Sequence, residues 1–321
     1  MAEADGVLVA GAGALGSVFG GLLAQSGARV TLLGRAPHVA EVRAHGLVVD
    51  GLFGSHRIGG LACATDVAEL GGRYGTILLT VKSWDTRAMI GQVAPLLAEG
   101  GVVVCLQNGL GNLEAVADAV GPARVLGARV IFGAELSAPG HVRVTVIADP
   151  VLVGSPAAGD GACDARAREW AARFDAAGIP SRYTDRLVPE LWAKVLYNAA
   201  LNPLGALLGV PYGWLPDDPD ARATMDEVID EAFAVARACG VALAWGTSME
   251  YRQTFYGRLV PSTADHRSSM LQDLERGRPT EIEAINGYVV REGAARAVPT
   301  PANAVLTRLV RARVRRAART R

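Results

Sequence analysis

The chain has 321 residues, half of them hydrophobic, and its 32 lysines and arginines balance 32 aspartates and glutamates. That length is sufficient for two domains with separate cores. Net neutrality, without a basic stripe interleaved with aromatic residues, argues against a dedicated nucleic-acid-binding protein. The four cysteines are widely spaced and form no CxxC pair. Neither a disulfide framework nor a metal site is therefore predicted.

Neither end of the sequence predicts export or membrane insertion. The first residues are acidic and lead directly into a predicted strand, unlike a signal peptide. No apolar run reaches the roughly eighteen residues that a membrane span needs. We therefore expect a soluble, cytoplasmic protein with no membrane partner. The arginines that crowd the sequence from Arg308 onward suit the solvated end of a terminal helix, and binding to nucleic acid or an anionic surface is the alternative.

The first half of the sequence alternates short apolar runs with helical stretches, which predicts a doubly wound parallel sheet. Two later runs, His141–Ile147 and Pro150–Gly154, are predicted to form an antiparallel hairpin that extends this sheet. A helix over Cys163–Ala177 and a strand over Ile179–Tyr183 follow. The earlier strands are predicted at Val7–Ala10, Arg29–Leu33, Thr76–Val81, Gly101–Leu106 and Val125–Ile131.

From Pro189 onward helical patterns dominate, and no strand is predicted. We place a domain boundary near Asp185. The sequence thus predicts an α/β Rossmann-type dinucleotide-binding domain over residues 1–185 and an all-α substrate domain over residues 186–321, with a cleft between them. The helices are predicted at Pro189–Leu208, Asp220–Ala238, Ser248–Tyr256, Thr280–Ala294 and from Ala302 to the end.

A glycine-rich turn follows the first predicted strand and opens a helix. Glycines in this G-x-G-x-x-G context allow a tight turn, close approach of a pyrophosphate and packing of the helix on the strand. We interpret the turn as a cofactor site, and a glycine-rich turn without a ligand is the alternative. Its six residues are Gly11, Ala12, Gly13, Ala14, Leu15 and Gly16.

The end of the second predicted strand indicates which dinucleotide binds. An NAD site carries a carboxylate there for the ribose hydroxyls, whereas this chain has Gly34 and Arg35 and no acid before Glu41. A guanidinium is permanently charged and suits bidentate recognition of a 2′-phosphate. The sequence therefore predicts NADP(H), and a solvated loop arginine is the alternative.

Lys194, Asn198 and Asn202 are spaced four residues apart in an apolar segment. In a helix four residues advance about 400°, so the three side chains share one face. The segment is thus predicted to be a helix buried on most sides that carries one polar stripe. Isolated helical asparagines are usually surface residues or caps, but three aligned polar groups favour a shared site.

Lys82 and Asn108 follow the third and fourth predicted strands of the sheet. Ligands of open α/β sheets bind beyond the carboxyl ends of the strands, which makes both side chains candidate ligand contacts. A surface lysine and an ordinary Asn-Gly turn are the alternatives.

Glu281 and Ser269 have structural as well as functional interpretations. Thr280 and Glu283 fit a capping box. Glu281 would lie in the first turn of that helix, where the dipole favours a carboxylate. Ser269 could equally be a local turn or cap hydroxyl. The sequence alone leaves these alternatives open.

In this order, these motifs resemble those of the ketopantoate reductases (2-dehydropantoate 2-reductases), NADPH-dependent enzymes of pantothenate and coenzyme A biosynthesis. The resemblance covers nearly the whole chain and is highly specific for the family, although less so for one substrate. It extends from the glycine-rich turn through Val81-Lys82, Gln107-Asn108-Gly109 and the Lys194 stripe to Ser268–Asp273, Thr280–Glu283, Ile285–Gly287 and Val298–Pro301.

The resemblance implies a role for each motif residue. Lys194 matches the family's catalytic lysine, the general acid for hydride transfer to a C2 ketone, and Glu281 its partner. The turn of Gly11–Gly16 and Arg35 match the pyrophosphate and 2′-phosphate contacts. Lys82 and Asn108 are implied to contact cofactor and substrate. Further substrate contacts are implied at Asn198, Asn202 and Ser269.

The expected partner is a small 2-oxo acid, most specifically ketopantoate, with NADP(H) as cofactor. A paralogous reductase of another 2-oxo acid is the first alternative. A non-catalytic NADP(H)-binding sensor is the second, and the presence of both Lys194 and Glu281 argues against it. A monomer and a homodimer both fit the sequence.

Overall fold

The computed structural model describes residues 6–157 and 159–319, which form two compact units. The first contains the chain up to Gln107 together with Asn112–Leu187. The second contains Asn108–Gly111 and the chain from Val188 onward. Strands lie in the first unit, whereas the second is helical, and this confirms the predicted fold class. The departure of residues 108–111 from the first unit was not predicted.

The first unit contains two sheets. The larger has the strand order β12-β11-β8-β7-β6-β1-β2-β5, and the smaller has the order β4-β3-β10-β9. In the larger sheet all pairs are parallel except β8 with β11. In chain order the strands are β1 (Val7–Ala10), β2 (Val30–Leu33), β3 (Leu47–Gly51), β4 (His56–Ile58), β5 (Ala62–Ala64), β6 (Tyr74–Leu79), β7 (Leu97–Cys105), β8 (Val125–Arg129), β9 (Phe132–Ala138), β10 (His141–Ile147), β11 (Val151–Gly154) and β12 (Ser181–Tyr183).

Eleven α-helices lie within the described residues. None is long and apolar enough to cross a membrane. The helices are α1 (Ala14–Gln25), α2 (Ala36–His45), α3 (Thr86–Val93), α4 (Asn112–Val120), α5 (Gly161–Ala176), α6 (Leu187–Leu208), α7 (Pro219–Ala238), α8 (Ser248–Thr254), α9 (Ser269–Glu275), α10 (Asn286–Ala295) and α11 (Pro301–Arg319).

β1 occupies the interior of the larger sheet and is buried on both faces. Val7 and Val9 belong to one hydrophobic cluster with Phe19 of α1, whereas Leu8 and Ala10 belong to a second cluster on the opposite face. Each of these four strand residues is at most 1% exposed. Burial on both faces explains why the strand is a continuous apolar run rather than an alternating one.

The predicted hairpin of His141–Ile147 with Pro150–Gly154 is wrong. β10 pairs with β9 and β3 in the smaller sheet, whereas β11 pairs with β8 and β12 in the larger sheet. The alternating pattern identified β10 as a strand but could not identify its partner, because alternation specifies the buried face rather than the pairing. The predictions also lacked β3 and β9, the two strands that pair with β10.

The helix predicted over Thr280–Ala294 is interrupted. A 3-10 turn covers Glu281–Ala284, and α10 begins only after Ile285, whose backbone is not helical (φ −108°, ψ −102°). The predicted capping box is also wrong, because Thr280 makes no side-chain cap bond and Glu283 accepts hydrogen bonds from Arg311 instead. The carboxylate of Glu283 therefore forms an ion pair with Arg311 of α11 instead of capping a helix.

The helix predicted over Ser248–Tyr256 is also interrupted. α8 ends at Thr254, and a π-helix over Phe255–Leu259 follows it. The periodic pattern continues across this change of winding, which explains why the sequence did not show it.

A buried histidine connects three parts of the first unit. His38 of α2 is 6% exposed. Its Nδ1 accepts a hydrogen bond from the backbone N–H of Gly140, in the turn between β9 and β10, at 3.0 Å. Its Nε2 lies 3.0 Å from Oγ of Ser17 in α1. Because Nδ1 accepts, the neutral ring carries its proton on Nε2 and donates to Ser17.

The folded state is therefore expected to become less stable as the His38 ring becomes protonated. Burial, with a smaller contribution from Arg35, lowers the pKa of His38 from its usual 6.5. The unfolded chain then binds the proton more readily, so the free energy of unfolding should fall as the pH decreases below about 6.5. Urea denaturation at about pH 7.5 and about pH 5.5 measures this free energy at both pH values. The free energy of unfolding should depend less on pH in His38→Asn than in the unsubstituted protein. An equal pH dependence in both proteins would show that protonation of His38 does not cause the loss of stability.

Candidate active site

The glycine-rich turn connects β1 to α1. Gly11 has a φ of +112°, and a Cβ there would lie 2.6 Å from the backbone nitrogen of Val81. A Cβ on Gly16 would lie 2.4 Å from the carbonyl oxygen of Gly11. At Gly13, by contrast, φ is −86° and a Cβ would have its nearest neighbour at 3.9 Å. Contacts within the protein leave no room for a side chain at Gly11 or Gly16. Such contacts do not explain why residue 13 is a glycine.

The position of Gly13 is compatible with a contact to a phosphate group. Gly13 is the N-cap residue of α1, which has no side-chain cap and no acidic residue in its first turn. The first N–H groups of a helix lack intrahelical acceptors and carry partial positive charge. A pyrophosphate can approach such a turn closely where the side chain is absent. Ala12 is buried, and Ala14 and Leu15 pack against the core, so the turn would contact a phosphate through its backbone.

Arg35 and Lys82 lie beyond the same edge of the larger sheet as the glycine-rich turn. The last residues of β2 and β6 both pair in register with the last residue of β1, so the three following segments begin level with one another. Arg35 is exposed and is the N-cap residue of α2. Lys82 is half-buried, with its Nζ 5.8 Å from the centroid of the Trp84 ring. Both positions are compatible with the predicted ligand contacts.

α6 confirms the predicted helix and its burial. Lys194 is half-buried, whereas Asn198 and Asn202 are only 8% and 5% exposed. The polar stripe is therefore not a solvated face, and its groups require hydrogen-bonding partners. Five of the six residues between them are at most 1% exposed: Val195, Leu196, Ala199, Ala200 and Leu201.

α6 continues through Pro203, which has no N–H to donate. The carbonyl oxygen of Ala199, four residues earlier, consequently loses its helical partner. Asn286 Nδ2 donates to this oxygen at 3.0 Å and also to Oδ1 of Asn303 at 3.0 Å. Both asparagines are fully buried. A side chain of α10 thus supplies the donor that the proline lacks, beside the polar stripe.

Replacing Asn286 is expected to destabilise the helical unit. Asn286→Leu should lower the free energy of unfolding by about 1–3 kcal/mol, because two buried acceptors lose their donor. Urea denaturation measures the change. Asn286→Asp is the matched variant, since it keeps the size of the side chain but removes both N–H donors. A stability close to that of the original protein in both variants would show that these hydrogen bonds contribute little.

Asn108 links Lys194 to Glu281 within the second unit. Lys194 Nζ donates to Asn108 Oδ1 at 2.6 Å, and Asn108 Nδ2 donates to Glu281 Oε2 at 3.4 Å. Glu281 is 6% exposed. The amide oxygen thus faces the ammonium group and the amide N–H faces the carboxylate. The predicted catalytic pair is connected through a residue that the sequence indicated only as a ligand contact.

Gly109 allows Asn108 to take this position. Its φ is +82°, and a Cβ would lie 2.5 Å from the carbonyl oxygen of Ala284. The backbone N–H of Leu110 donates to the same oxygen at 2.8 Å. Only glycine combines this backbone conformation with so close an approach. The glycine in Gln-Asn-Gly therefore reflects contact with the turn that carries Glu281.

Both ends of the segment 108–111 are held at Thr86 in the first unit. Gln107 Nε2 donates to the Thr86 hydroxyl at 2.7 Å, and this hydroxyl donates to Asn112 Oδ1 at 2.8 Å. All three side chains are buried. The hydrogen bonds fix the points at which the segment leaves and re-enters the first unit.

The two asparagines of the stripe differ in their hydrogen bonds. Asn202 Oδ1 accepts a hydrogen bond from the hydroxyl of Tyr212. Within residues 6–157 and 159–319, the Asn198 amide has no hydrogen-bonding partner, although the residue is buried. Its side-chain oxygen and nitrogen keep some contact with solvent, so a polar ligand could hydrogen-bond this amide in place of water.

Ser269 is the exposed first residue of α9, and its substrate contact stays a prediction. The adjacent Ser268 is fully buried and caps this helix by accepting a hydrogen bond from the N–H of Leu271 at 3.0 Å. In the described part of the chain, no group of three or more histidine, cysteine or acidic residues could hold a metal ion.

A Rossmann-type unit with this glycine-rich turn, and a helical unit with a lysine linked to a buried carboxylate, define a dinucleotide-dependent oxidoreductase. Comparison with known proteins specifies the family. The model described as "Ketopantoate reductase PanE/ApbA" matches residues 7–157, and that described as "Ketopantoate reductase PanE/ApbA C terminal" matches residues 186–314. The chain belongs to the ketopantoate reductase family, as the sequence predicts.

Related proteins match over nearly their full length. The 2-dehydropantoate 2-reductase of Aquifex aeolicus is 38% identical over 307 residues, which cover 95% of this chain and 96% of the relative. That of Pyrococcus horikoshii is 32% identical over 312 residues, with coverage of 96% and 97%. Family membership makes the protein an oxidoreductase with a nicotinamide dinucleotide as its cofactor, as predicted.

Solved structures share the architecture. A PanE/ApbA family ketopantoate reductase from Ralstonia eutropha has a TM-score of 0.85 and 34% identity, and covers 98% of this chain and 99% of its own. D-mandelate dehydrogenase in complex with NADH and anilino(oxo)acetate has a TM-score of 0.88 and 27% identity, with the same coverage. Related folds thus include a named dehydrogenase of a different 2-hydroxy acid.

Proposed function

We propose that this protein reduces ketopantoate (2-dehydropantoate) to pantoate, with NADPH as the hydride donor, in pantothenate and coenzyme A biosynthesis. The observation that carries the proposal is the hydrogen-bonded line of Lys194, Asn108 and Glu281 in a chain of this family. Bound NADPH supplies the hydride that reaches the C2 ketone. The cytoplasmic location and the monomeric or homodimeric state stay predictions.

Lys194 is the proton donor in this proposal. Negative charge develops on the carbonyl oxygen as the ketone is reduced, and an ammonium group can hydrogen-bond this oxygen and transfer a proton to it. Asn108 occupies one of the three N–H donors of Lys194 and so restricts the direction of the others. Glu281 accepts a hydrogen bond from Asn108 Nδ2 and thereby orients this amide. Lys194 would thus be aligned before the substrate binds.

Arg35 supports NADPH rather than NADH. Arg35 follows β2 at the sheet edge that carries the glycine-rich turn, and no acidic residue occurs between it and Glu41. A permanently charged, planar donor suits a 2′-phosphate. NADH is the specific alternative, because the D-mandelate dehydrogenase structures contain it. The cofactor preference can therefore be tested at one residue.

The buried asparagines of α6 supply polar groups for an oxygen-rich substrate. The amides of Asn198 and Asn202 can bind substrate oxygens without adding charge. Lys82, whose ammonium would complement the substrate carboxylate, and Ser269 are the further proposed contacts. Rigid helical positions hold such groups with less loss of entropy than loops do.

An aromatic 2-oxo acid is a second candidate substrate. Tyr212, the hydrogen-bonding partner of Asn202, has its ring centroid 5.8 Å from that of Tyr197, which lies 5.9 Å from that of Phe255. Aromatic rings therefore adjoin the polar stripe. D-mandelate dehydrogenase, which shares the fold, is named for a hydroxy acid with an aromatic ring.

A competition assay distinguishes these substrates. The protein is incubated with NADPH and equal amounts of ketopantoate, 2-oxoisovalerate and phenylglyoxylate, and the three 2-hydroxy acids are quantified by mass spectrometry. Pantoate is expected to dominate. Mandelate as the main product would move the function to aromatic 2-oxo acids. The absence of all three products would contradict a reductase of this substrate class.

A further inference from the structure

We propose that Tyr212 is a positioning residue that fixes the Asn202 amide with its N–H donors directed to an oxygen of the substrate. This inference rests on the proposed function, since it specifies how the 2-oxo acid is held. Tyr212 begins a 3-10 segment, Tyr212–Asp217, and is 3% exposed. Its hydroxyl donates to Oδ1 of Asn202, which is 5% exposed.

The hydrogen bond has only one possible polarity. An amide oxygen can only accept, so the tyrosine hydroxyl must donate its single proton to it. Burial holds the pKa of Tyr212 well above its usual value of 10.0, so the hydroxyl keeps this proton under physiological conditions. With Oδ1 facing Tyr212, Nδ2 points away from the tyrosine. Asn202 therefore presents its N–H donors, rather than its oxygen, on the side away from Tyr212.

The donors of Asn202 remain available to a ligand. Nδ2 has no hydrogen-bonding partner in the described chain, although the residue is more than nine-tenths buried. This nitrogen keeps some contact with solvent. A buried amide nitrogen without an acceptor favours a ligand that offers one. A 2-oxo acid offers carboxylate and carbonyl oxygens, which only accept.

Surrounding groups hold Tyr212 in place. Its backbone N–H donates to the carbonyl oxygen of His266 at 3.1 Å, and the two ring centroids are 5.2 Å apart. The Tyr197 ring packs edge-on at 5.8 Å. The backbone oxygen of Asn202 additionally accepts a hydrogen bond from the Ser268 hydroxyl at 3.5 Å. Both partners of the Tyr212–Asn202 bond are therefore anchored independently of the substrate.

Tyr212→Phe tests the proposal, because it removes the hydroxyl and keeps the ring. The freed Asn202 amide can rotate and offer its oxygen to the substrate. The KM for the 2-oxo acid is expected to rise about three- to tenfold, the effect of one ordinary hydrogen bond. kcat and the Kd of NADPH, measured by fluorescence titration, should stay within about twofold. A merely structural defect would change all three quantities.

Two variants of Asn202 establish whether Tyr212 acts through it. In an Asn202→Ala background, adding Tyr212→Phe should raise KM no further. Asn202→Asp keeps an acceptor for Tyr212 but replaces the donors by a negative charge, so it should raise KM more than Asn202→Ala does. This variant also tests the donor role if Tyr212→Phe fails to fold.

Three results would overturn the positioning role of Tyr212 and leave the proposed function intact. The first is an unchanged KM in Tyr212→Phe, and the second is that Tyr212→Phe raises KM as much in the Asn202→Ala background as in the unsubstituted protein. The third is a smaller rise in KM for Asn202→Asp than for Asn202→Ala. In each, the unsubstituted protein still reduces the 2-oxo acid. If the unsubstituted protein reduced none, the proposed function would fail and the substrate role of Tyr212 with it. The two failures are therefore distinguishable.

Discussion

Lys194→Ala is expected to lower kcat for 2-oxo acid reduction by about 10²- to 10⁴-fold, the range of general acid catalysis. The variant removes the group that would protonate the developing alkoxide, while it leaves the glycine-rich turn of the other unit unchanged. The Kd of NADPH should therefore change by less than about threefold. Stopped-flow measurement of NADPH oxidation at saturating substrate determines the rate, and fluorescence titration determines the Kd.

Lys194→Arg is the matched control for charge. An arginine keeps the positive charge and can hydrogen-bond Asn108, but its guanidinium does not give up a proton near neutral pH. If Lys194 acts as an acid, the arginine variant should also be severely impaired. If Lys194 provides only a positive charge, arginine should restore much of the rate. Near-normal turnover of Lys194→Ala would exclude both roles.

Arg35→Asp is expected to impair the use of NADPH far more than the use of NADH. Loss of charge-assisted hydrogen bonds to a 2′-phosphate costs about 2–3 kcal/mol, and 1.4 kcal/mol is tenfold. kcat/KM for NADPH should therefore fall about a hundredfold, whereas that for NADH should remain within about threefold. An aspartate is also a favourable N-cap residue, so α2 should not be destabilised.

Arg29→Asp provides the control for net charge. Arg29 is exposed and precedes β2, whereas Arg35 follows it, so the same change is made at opposite ends of one strand. Arg29→Asp should leave the ratio of NADPH to NADH activity unchanged. An unchanged ratio in Arg35→Asp as well would refute the 2′-phosphate contact.

The sequence predicted the structural elements that are determined by residues close together in the chain. β1, the glycine-rich turn and α6 each lie in one continuous segment, where apolar runs and fixed spacings carry the information. Lys194 was identifiable for the same reason. Composition contained an additional signal, because Lys82 and Lys194 are the only lysines among the 32 basic residues. A chain that otherwise uses arginine keeps lysine at two candidate ligand positions.

The sequence did not show the contacts that join distant segments. Asn108 is 173 residues from Glu281 and 86 from Lys194, and Asn286 is 87 from Ala199. Local patterns contain no information on such pairs. Pro203 within a helical pattern was the one available signal, since it required a donor for the carbonyl four residues earlier. The partner strands of β10 were missed for the same reason.

The most direct test of the proposed reaction is the near-ultraviolet absorbance of NADPH after ketopantoate is added to the purified protein. We predict that the absorbance falls at a rate that increases and saturates with ketopantoate, and that Lys194→Ala abolishes most of this rate. Tight binding of NADPH without any ketopantoate-dependent loss of absorbance would contradict the reductase and favour a cofactor-binding sensor.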